Sequence, residues 1–506
     1  EEGRKRGRAD GSASSCSPAS RRVPSRRRMR PATGHSGESS FSEETRADTT
    51  SGYSDGVYEL VVVGAGLIGA AAARHAAQRV LSRGRVALVG PAEDPREGWA
   101  ERRAFGAHHD EGRITRCTDP EPTWALLAQR SIDRYGTIAN ESGVEFFDEV
   151  GHLAVGPPDS LSLSARASNA AAAGVPFEWL DESALRLRFP YLHFPPNAKA
   201  VWEPQRSGYI SARRLVKAQT CSATSSGCDR VEAEAERIVD EDGRGFCTVH
   251  LRGGGVVRAR KVLLACGAFT NGPAALIPEG KSLELNNTTT QTVHFSLSEA
   301  DAARLQKMPS LIAKFDHWWA YVLPPIRYPD GRIVLKLGGA RTAAATPVTG
   351  ASNASLAGTR PLASPADLIE WYRTAGEPAA TAEMAEMLRS LIPEVEPLEV
   401  RSDACANCRT PTGLPYIGEL LGDDGRPILR GGDGGHMYVA TGGNGLAAKS
   451  SDEIGRLAAC AVLSVGGWDP EEKHPLLAAE RFTPRLRPSV NVQASPLPQQ
   501  KAKWYD

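Results

Sequence analysis

The sequence predicts an α/β fold in which a parallel-sheet domain is interrupted by a second, α+β domain. Three observations predict it. Residues Val61 to Gly69 read Val-Val-Val-Gly-Ala-Gly-Leu-Ile-Gly, a β-branched run that breaks into a glycine turn and then an alanine-rich helical stretch. Two further short apolar runs, Arg85–Val89 and Lys261–Ala265, have the length and composition of buried strands. Between residues 288 and 337 the pattern changes to successive strand-like runs, as in an antiparallel sheet with flanking helices.

In chain order, the first 56 residues are rich in Arg, Ser, Gly and Pro, with too few apolar residues to offset the entropy of ordering. The basic clusters Arg4-Lys5-Arg6 and Arg26-Arg27-Arg28 read as parts of a solvated tail. Arg- and Ser-rich composition suits an organelle transit peptide, whereas Glu1, Glu2 and Asp10 count against one. The first methionine is Met29, so part of this tail is expected to be an extension of the gene model or a fragment end.

The glycine turn that follows is Gly64-x-Gly66-x-x-Gly69. Gly64 allows the turn, Gly66 lets the backbone approach a pyrophosphate, and Gly69 lets the helix pack closely on the strand. This is a Rossmann-like dinucleotide motif in its required strand-to-helix context. The next strand should end in an acid that holds the ribose, but Gly90 stands there, with Glu93 and Asp94 a few residues on. The ribose partner is left open.

Further along, Pro122 to Asn140 carries Trp124, Leu127, Ile132, Tyr135 and Ile138 at helical spacing. Ala200–Pro204 and Gly208–Leu215 read as strand, turn and helix, and Phe246–Leu251 and Val256–Ala265 as strands around Gly253-Gly254-Gly255. The run Lys261–Thr270 ends in small residues around Gly267, as expected where backbone passes a cofactor. Strands are expected at Thr290–Phe295, Trp318–Leu323 and Arg332–Leu337, and helices at Ala366–Thr374 and Thr381–Leu391. The glycine-rich segment 434–445 leads into a helix from Lys449 to Leu463. The expected organisation is a tail (1–56), the dinucleotide domain in three pieces (57–118, 206–278 and 400–485), the substrate domain in two (119–205 and 279–399), and a C-terminal tail (486–506).

Composition bounds the partners. The 506 residues carry a formal net charge of zero, which gives no reason to expect nucleic acid or an anionic membrane. The longest apolar run, Leu60 to Ala73, is broken by glycines and stops at Arg74, well short of a membrane span. Nine scattered cysteines do not form a disulfide framework, so a reducing, intracellular setting is expected, cytoplasmic or within an organelle.

Four later segments bear on chemistry. Phe105–Arg116 is a polar loop with His108, His109, Arg113 and Arg116; Lys336 sits inside the apolar strand Val334–Gly338; Cys405-Ala406-Asn407-Cys408 is a lone CxxC; and Lys449 follows the C-terminal glycines. Singly, each has an ordinary reading: a solvated loop, a snorkelling lysine, structural cysteines without the second pair zinc needs, and a surface lysine. Together and in this order, from about Tyr58 to Arg485, they resemble the D-amino-acid-oxidase superfamily of FAD proteins, and within it the monomeric sarcosine oxidase and pipecolate oxidase branch.

The resemblance implies a site. Gly64, Gly66 and Gly69 would hold the ADP part of FAD, with Gly267, Gly442, Gly443 and Gly445 also along the cofactor. Gly106, His108, His109, Arg113 and Arg116 match the family's G-x-H-H-x-x-x-R-x-x-R loop, placing His109 and Arg113 beside the flavin ring. Arg116 and Lys449 would bind the substrate carboxylate, a task suited to a guanidinium fork and an ammonium. Lys336, from the Leu-Lys-Leu-Gly strand, would promote reaction with O2. Cys405 would carry the flavin covalently, Cys408 takes no role, and Tyr321 matches a pocket tyrosine. This chain departs from the branch at Ala340, Asn407 and Leu446, where the family has histidine, tyrosine and histidine. The parts that hold the flavin and the carboxylate are kept, and the walls that read the amine are rebuilt.

The expected activity is therefore oxidation of the C–N bond of a secondary or N-methylated amino acid to an imine, with O2 reduced to H2O2, by a monomer. The alternatives are a dehydrogenase of the same fold with another electron acceptor, and a low-turnover flavin-binding structural or assembly protein.

Overall fold

The computed structural model describes residues 56–80, 85–93, 101–240, 245–272, 276–278, 280–341, 359–429, 436–464 and 468–488. The basic clusters of the N-terminal tail, Asp94 and the last residues of the chain lie outside them.

Strand β1 (Val57–Val63) runs into helix α1 (Leu67–Arg79), and strand β2 (Val86–Gly90) pairs parallel with β1. On its other side β1 pairs parallel with Val256–Leu264. That strand continues the sheet to His436–Thr441 in parallel and to Cys247–Leu251 in antiparallel register. Asp229–Glu232 lies parallel to β2 at the opposite edge. In β1, Leu60 and Val62 belong to one core and Val61 and Val63 to another. This is why the run is apolar without alternation: a parallel sheet is covered on both faces.

The alanines of α1 have a packing reason. Ala70 to Ala73, Ala76 and Ala77 are buried, and Gly455 of the helix Ser451–Leu463 lies so close that a Cβ there would meet the Cβ of Ala71 at 2.5 Å. Small residues on both helices bring the backbones together. Asp452 then ties the helices electrostatically, receiving hydrogen bonds from Arg74, Gln219 and Arg134, with His75 Nε2 at 3.1 Å.

The second sheet has eight strands in the order 399–409, 286–297, 333–341, 318–327, 310–315, 152–156, 199–203, 178–180. Its pairs are antiparallel except Ser310–Phe315 with His152–Gly156. Helix Pro378–Leu391 contributes Met384, Met387 and Leu388 to the core on one face, where it meets Leu335 and Leu337. A small three-stranded sheet joins strand β3 (Arg113–Thr115) to Gly208–Ile210 and Phe147–Asp148.

Several elements depart from the sequence reading. The helix expected over Pro122–Asn140 is broken at Arg134 into α2 (Pro122–Asp133) and a second helix, Tyr135–Ser142. The helix expected from Lys449 begins as a 3-10 turn, Ala447–Ser450, before Ser451. The CxxC segment lies within an eleven-residue strand, Glu399–Arg409, that joins the second sheet, and Leu486–Pro488 pairs with Lys281–Leu283. Among the described residues no helix is long and apolar enough to cross a membrane.

Candidate active site

A cavity of about 2240 Å³ runs from the β1–α1 turn to the second sheet. At the turn Gly64 has φ +112°, and a Cβ there would lie 2.4 Å from the Ala265 carbonyl oxygen. A Cβ on Gly69 would overlap the Gly64 oxygen at 1.8 Å, whereas one on Gly66 would meet nothing nearer than His108 Nδ1, at 3.8 Å. Gly64 and Gly69 are thus required by the protein's own packing, and the space over Gly66 is free for a ligand. No side chain caps the N-terminus of α1, and its first turn holds no acid, so its amides and dipole are available to an anion.

His108 is buried, and its Nδ1 has no hydrogen-bond partner in the protein. Burial, followed by the charges of Arg102, Arg213 and Arg113, lowers its pKa to about 3, so the imidazole is neutral at ordinary pH. His109 packs edge-on against it with ring centroids 4.3 Å apart. An open glycine turn, an uncapped helix end and an orphaned ring nitrogen beside them fit the pyrophosphate-bearing part of a dinucleotide.

Alternation in the strand Ile333–Arg341 puts Leu335 and Leu337 into the apolar core and Lys336 on the opposite face, towards the loop that carries His108 and His109. There the ammonium is 1 % exposed and donates to the Asp110 carboxylate and, at 2.9 Å, to the Gly112 carbonyl. Asp110 also accepts from Arg113 and, at 2.7 Å, from the Tyr328 hydroxyl. Burial would raise the Asp110 carboxyl, but Lys336, Arg113 and His294 hold it well below the usual range. Burial and the Arg113 charge lower the Lys336 ammonium to about 8, against the pull of Asp110. Asp110 and Arg113 line the cavity; Lys336 is not among the lining residues and stands behind them.

Arg116 and Lys449 come together although 333 residues separate them. They meet on a third residue, Asp119: Arg116 Nη2 donates to Asp119 Oδ2 at 2.9 Å, and Lys449 Nζ lies 3.4 Å from the same oxygen. Glu203 clamps the chain between them, accepting from the amides of Cys117 (2.6 Å) and Thr118 (3.0 Å). Lys449 Nζ also sits 5.5 Å from the Trp124 ring centre, a cation–π contact. Burial lowers its pKa to about 8, opposed by Asp119 and aided by Arg116. For Asp119 burial is outweighed by Lys449, Arg116 and Arg166, so it stays ionised. Three cations thus act on one carboxylate, and Nε of Arg116 is buried without a partner. That balance suits a second, incoming carboxylate.

Cys405, Asn407, Cys408, Tyr321, Ala340 and Leu446 all line the cavity. Cys405 Sγ lies 3.9 Å from the Tyr372 hydroxyl, and the Cys405 carbonyl accepts from Trp371 Nε1 at 2.6 Å. Cys408 lies on the other face of its strand, with Sγ 3.7 Å from the Gly267 carbonyl. Burial raises the Tyr321 hydroxyl, so it is a hydrogen-bond donor at neutral pH. Ala340 pairs across the sheet with Trp319, whose Nε1 is buried without a partner. Gly267, Gly442, Gly443 and Gly445 line the same cavity.

The structure thus gathers every sequence-predicted site residue along the cavity except Gly69, which faces the strand, and Lys336, which is set back. It adds Asp110, Asp119 and Glu203. The first two each lie three residues from an arginine of the loop, at Arg113 and Arg116. That spacing was the available signal, and it is also common on solvated surfaces. Among the described residues no cluster of three or more metal-ligating side chains occurs, and none of the eight described cysteines forms a disulfide.

This fold and cavity define a dinucleotide-binding protein. A family model described as FAD dependent oxidoreductase (DAO) matches residues 59–461, and the chain belongs to that family. It is 28% identical over 213 residues to an N-methyl-L-tryptophan oxidase of Yersinia pestis (strain Pestoides F), a match covering 42% of this chain and 54% of the relative. The matched region is therefore about half the relative's length. Among solved structures, NikD, described as an unusual amino acid oxidase essential for nikkomycin biosynthesis, superposes in its open form with a TM-score of 0.61 at 18% identity, over 86% of this chain and 98% of NikD. L-proline dehydrogenase from P. horikoshii does so with a TM-score of 0.60 at 17% identity, over 84% and 96% of the two chains. At these identities the likeness is one of fold.

Proposed function

We propose that this protein oxidises a secondary or N-methylated amino acid at its C–N bond, giving an imine, with O2 reduced to H2O2. The observation that carries the proposal is the pair of buried cations, Arg116 and Lys449, lining the same cavity as the dinucleotide turn. When bound, FAD supplies the acceptor for the two electrons that leave the substrate. The protein's part is position and charge. Arg116 and Lys449 hold the carboxylate and so fix the orientation of the adjacent C–H bond; such orientation lowers barriers by roughly 7 kcal/mol or more in favourable cases. The excess positive charge disfavours the ammonium form of the amine and favours the neutral, reactive form. Tyr321, Trp319, Ala340 and Asn407 form walls that select the amine, and Cys405 is the residue proposed to attach the flavin. The N-methyl-L-tryptophan oxidase match supports this substrate class.

A second reading concerns the electron acceptor. Lys336, the residue proposed to assist O2, has its charge matched by Asp110, and a dehydrogenase shares this fold. Anaerobic mixing of the full-length protein with a panel of secondary and N-methylated amino acids tests the first half: loss of the flavin's visible absorbance is expected, and no bleaching by any member would refute the activity. Admitting O2 tests the second. Rapid recovery of colour with one H2O2 per flavin supports the oxidase; slow recovery that a quinone accelerates supports the dehydrogenase. Acid precipitation of the wild type beside Cys405→Ser reads the attachment, since only the wild-type pellet should retain flavin.

A further inference from the structure

We propose that Glu232 binds the adenosine ribose of the dinucleotide, replacing the acid that Rossmann-like sheets carry at the end of their second strand. This rests on the FAD reading and names a residue within that site. In such sheets the ligand lies across the carboxyl ends of the parallel strands, and an acid ending the second strand takes the ribose hydroxyls. Here β2 ends in Gly90, and no side chain can stand there. A Cβ on Gly90 would lie 2.8 Å from both the Cβ and the backbone nitrogen of Ala65, because the β1–α1 turn presses on it.

The neighbouring strand supplies an acid at the same level. Asp229–Glu232 runs parallel to β2, and its last residue, Glu232, is in register with Gly90. Residues in register on parallel strands point to the same face, roughly 4.8 Å apart. A carboxylate displaced by one strand is partly brought back by the longer reach of a glutamate over an aspartate. The strand is fixed against β2: Arg230 donates to the carbonyls of Leu88, Gly90 and Pro91 at 3.2, 2.9 and 3.0 Å. Glu232 therefore stands on a held ledge, and it lines the same cavity as Gly64, Gly66 and Gly90.

Its rivals among the described residues are engaged. Glu93 lies 2.8 Å from Arg213 Nε, and Glu234 accepts from Arg252 Nε at 2.7 Å. Glu232 is exposed, and the charge that acts on it, Arg230, spends its donors on the carbonyls named above, so no hydrogen bond or ion pair to the Glu232 carboxylate occurs among the described residues. An acceptor-only group on the cavity wall, at the level of the missing acid, suits a vicinal diol, which offers two hydroxyl donors.

The test uses the full-length chain carrying Cys405→Ser, freed of flavin and titrated with FAD, ADP and 2′,3′-dideoxy-ADP. Glu232→Gln is expected to weaken FAD and ADP on the order of 10- to 100-fold, the range for losing hydrogen bonds to a charged group. The dideoxy analogue should bind both forms alike, and Glu93→Gln should leave ADP binding unchanged. Equal affinity of ADP for Glu232→Gln and its parent overturns the proposal, as does an equal loss for ADP and the dideoxy analogue. If the parent binds neither FAD nor ADP, the dinucleotide reading falls with it, an outcome distinct from either of those.

Discussion

In the proposed anchor, a carboxylate arriving beside Arg116 and Lys449 meets Asp119 already there, so its binding would be a competition between anions. Lys449 is the titrating member, with its ammonium lowered to about 8. Above that pH it becomes neutral and its attraction is lost; below it the charge is present. Affinity for a thioether carboxylic acid, which has no amine to titrate, should therefore be constant near neutrality and fall as pH rises through about 8. Lys449→Met should bind it more weakly and without that alkaline fall. In Asp119→Asn the competing anion is gone, so the acid should bind more tightly at neutral pH. The alkaline fall should also move to lower pH, because Asp119 supports the lysine's proton. Absorbance titrations across pH read both, and a pH profile unmoved by either substitution would remove Lys449 from the anchor. At this scale the basic residues were legible because Arg113, Arg116 and Lys449 stand at motif spacing. Asp110 and Asp119 were not, since an acid near an arginine in a polar loop reads the same whether it is solvated or buried.

The β1–α1 turn shows what a motif does and does not specify. Three glycines look equivalent in sequence, yet their surroundings differ: Gly64 and Gly69 are hemmed in by backbone, while Gly66 faces open space. Gly69→Ala should therefore destabilise the flavin-free protein, by about 1–3 kcal/mol or more, as overpacking does. Gly66→Ala should leave its melting unchanged, because φ is −89° there and the new methyl meets only ordinary contacts. Its cost should instead appear in FAD affinity. Melting without flavin and titration with FAD separate the two effects, and a fall in stability for Gly66→Ala would show that its space is not reserved for the ligand. Strands and helices with strong periodicity were readable from sequence. The break at Arg134 was not, because the apolar spacing continues across it from α2 into Tyr135 and Ile138. Nor was the strand around Cys405, where the small residues Ala404, Ala406 and Cys408 alternate with Asp403, Cys405, Asn407 and Arg409, without the β-branched or aromatic residues that mark a strand.

The whole molecule places its cavity where no local pattern could show it, because its lining runs from Val63 to Arg481 and draws on both large sheets. The sequence order of motifs implied a shared site only through a family resemblance, whereas in the structure those motifs line one cavity. A ligand filling such a space binds the folded chain and not the unfolded one, so it stabilises the fold by mass action. Flavin-free Cys405→Ser should therefore melt at a temperature that rises with added FAD, each tenfold excess over Kd contributing about 1.4 kcal/mol. If the wild type carries its flavin on Cys405 as proposed, it should behave differently: added FAD has nowhere to bind, and dilution cannot remove what is bonded. Its melting temperature should be independent of FAD and of protein concentration. Differential scanning calorimetry on both proteins decides this. A wild type whose melting point climbs with FAD as the variant's does would mean an exchangeable flavin, and Cys405 would then be a wall residue of the cavity rather than the attachment point.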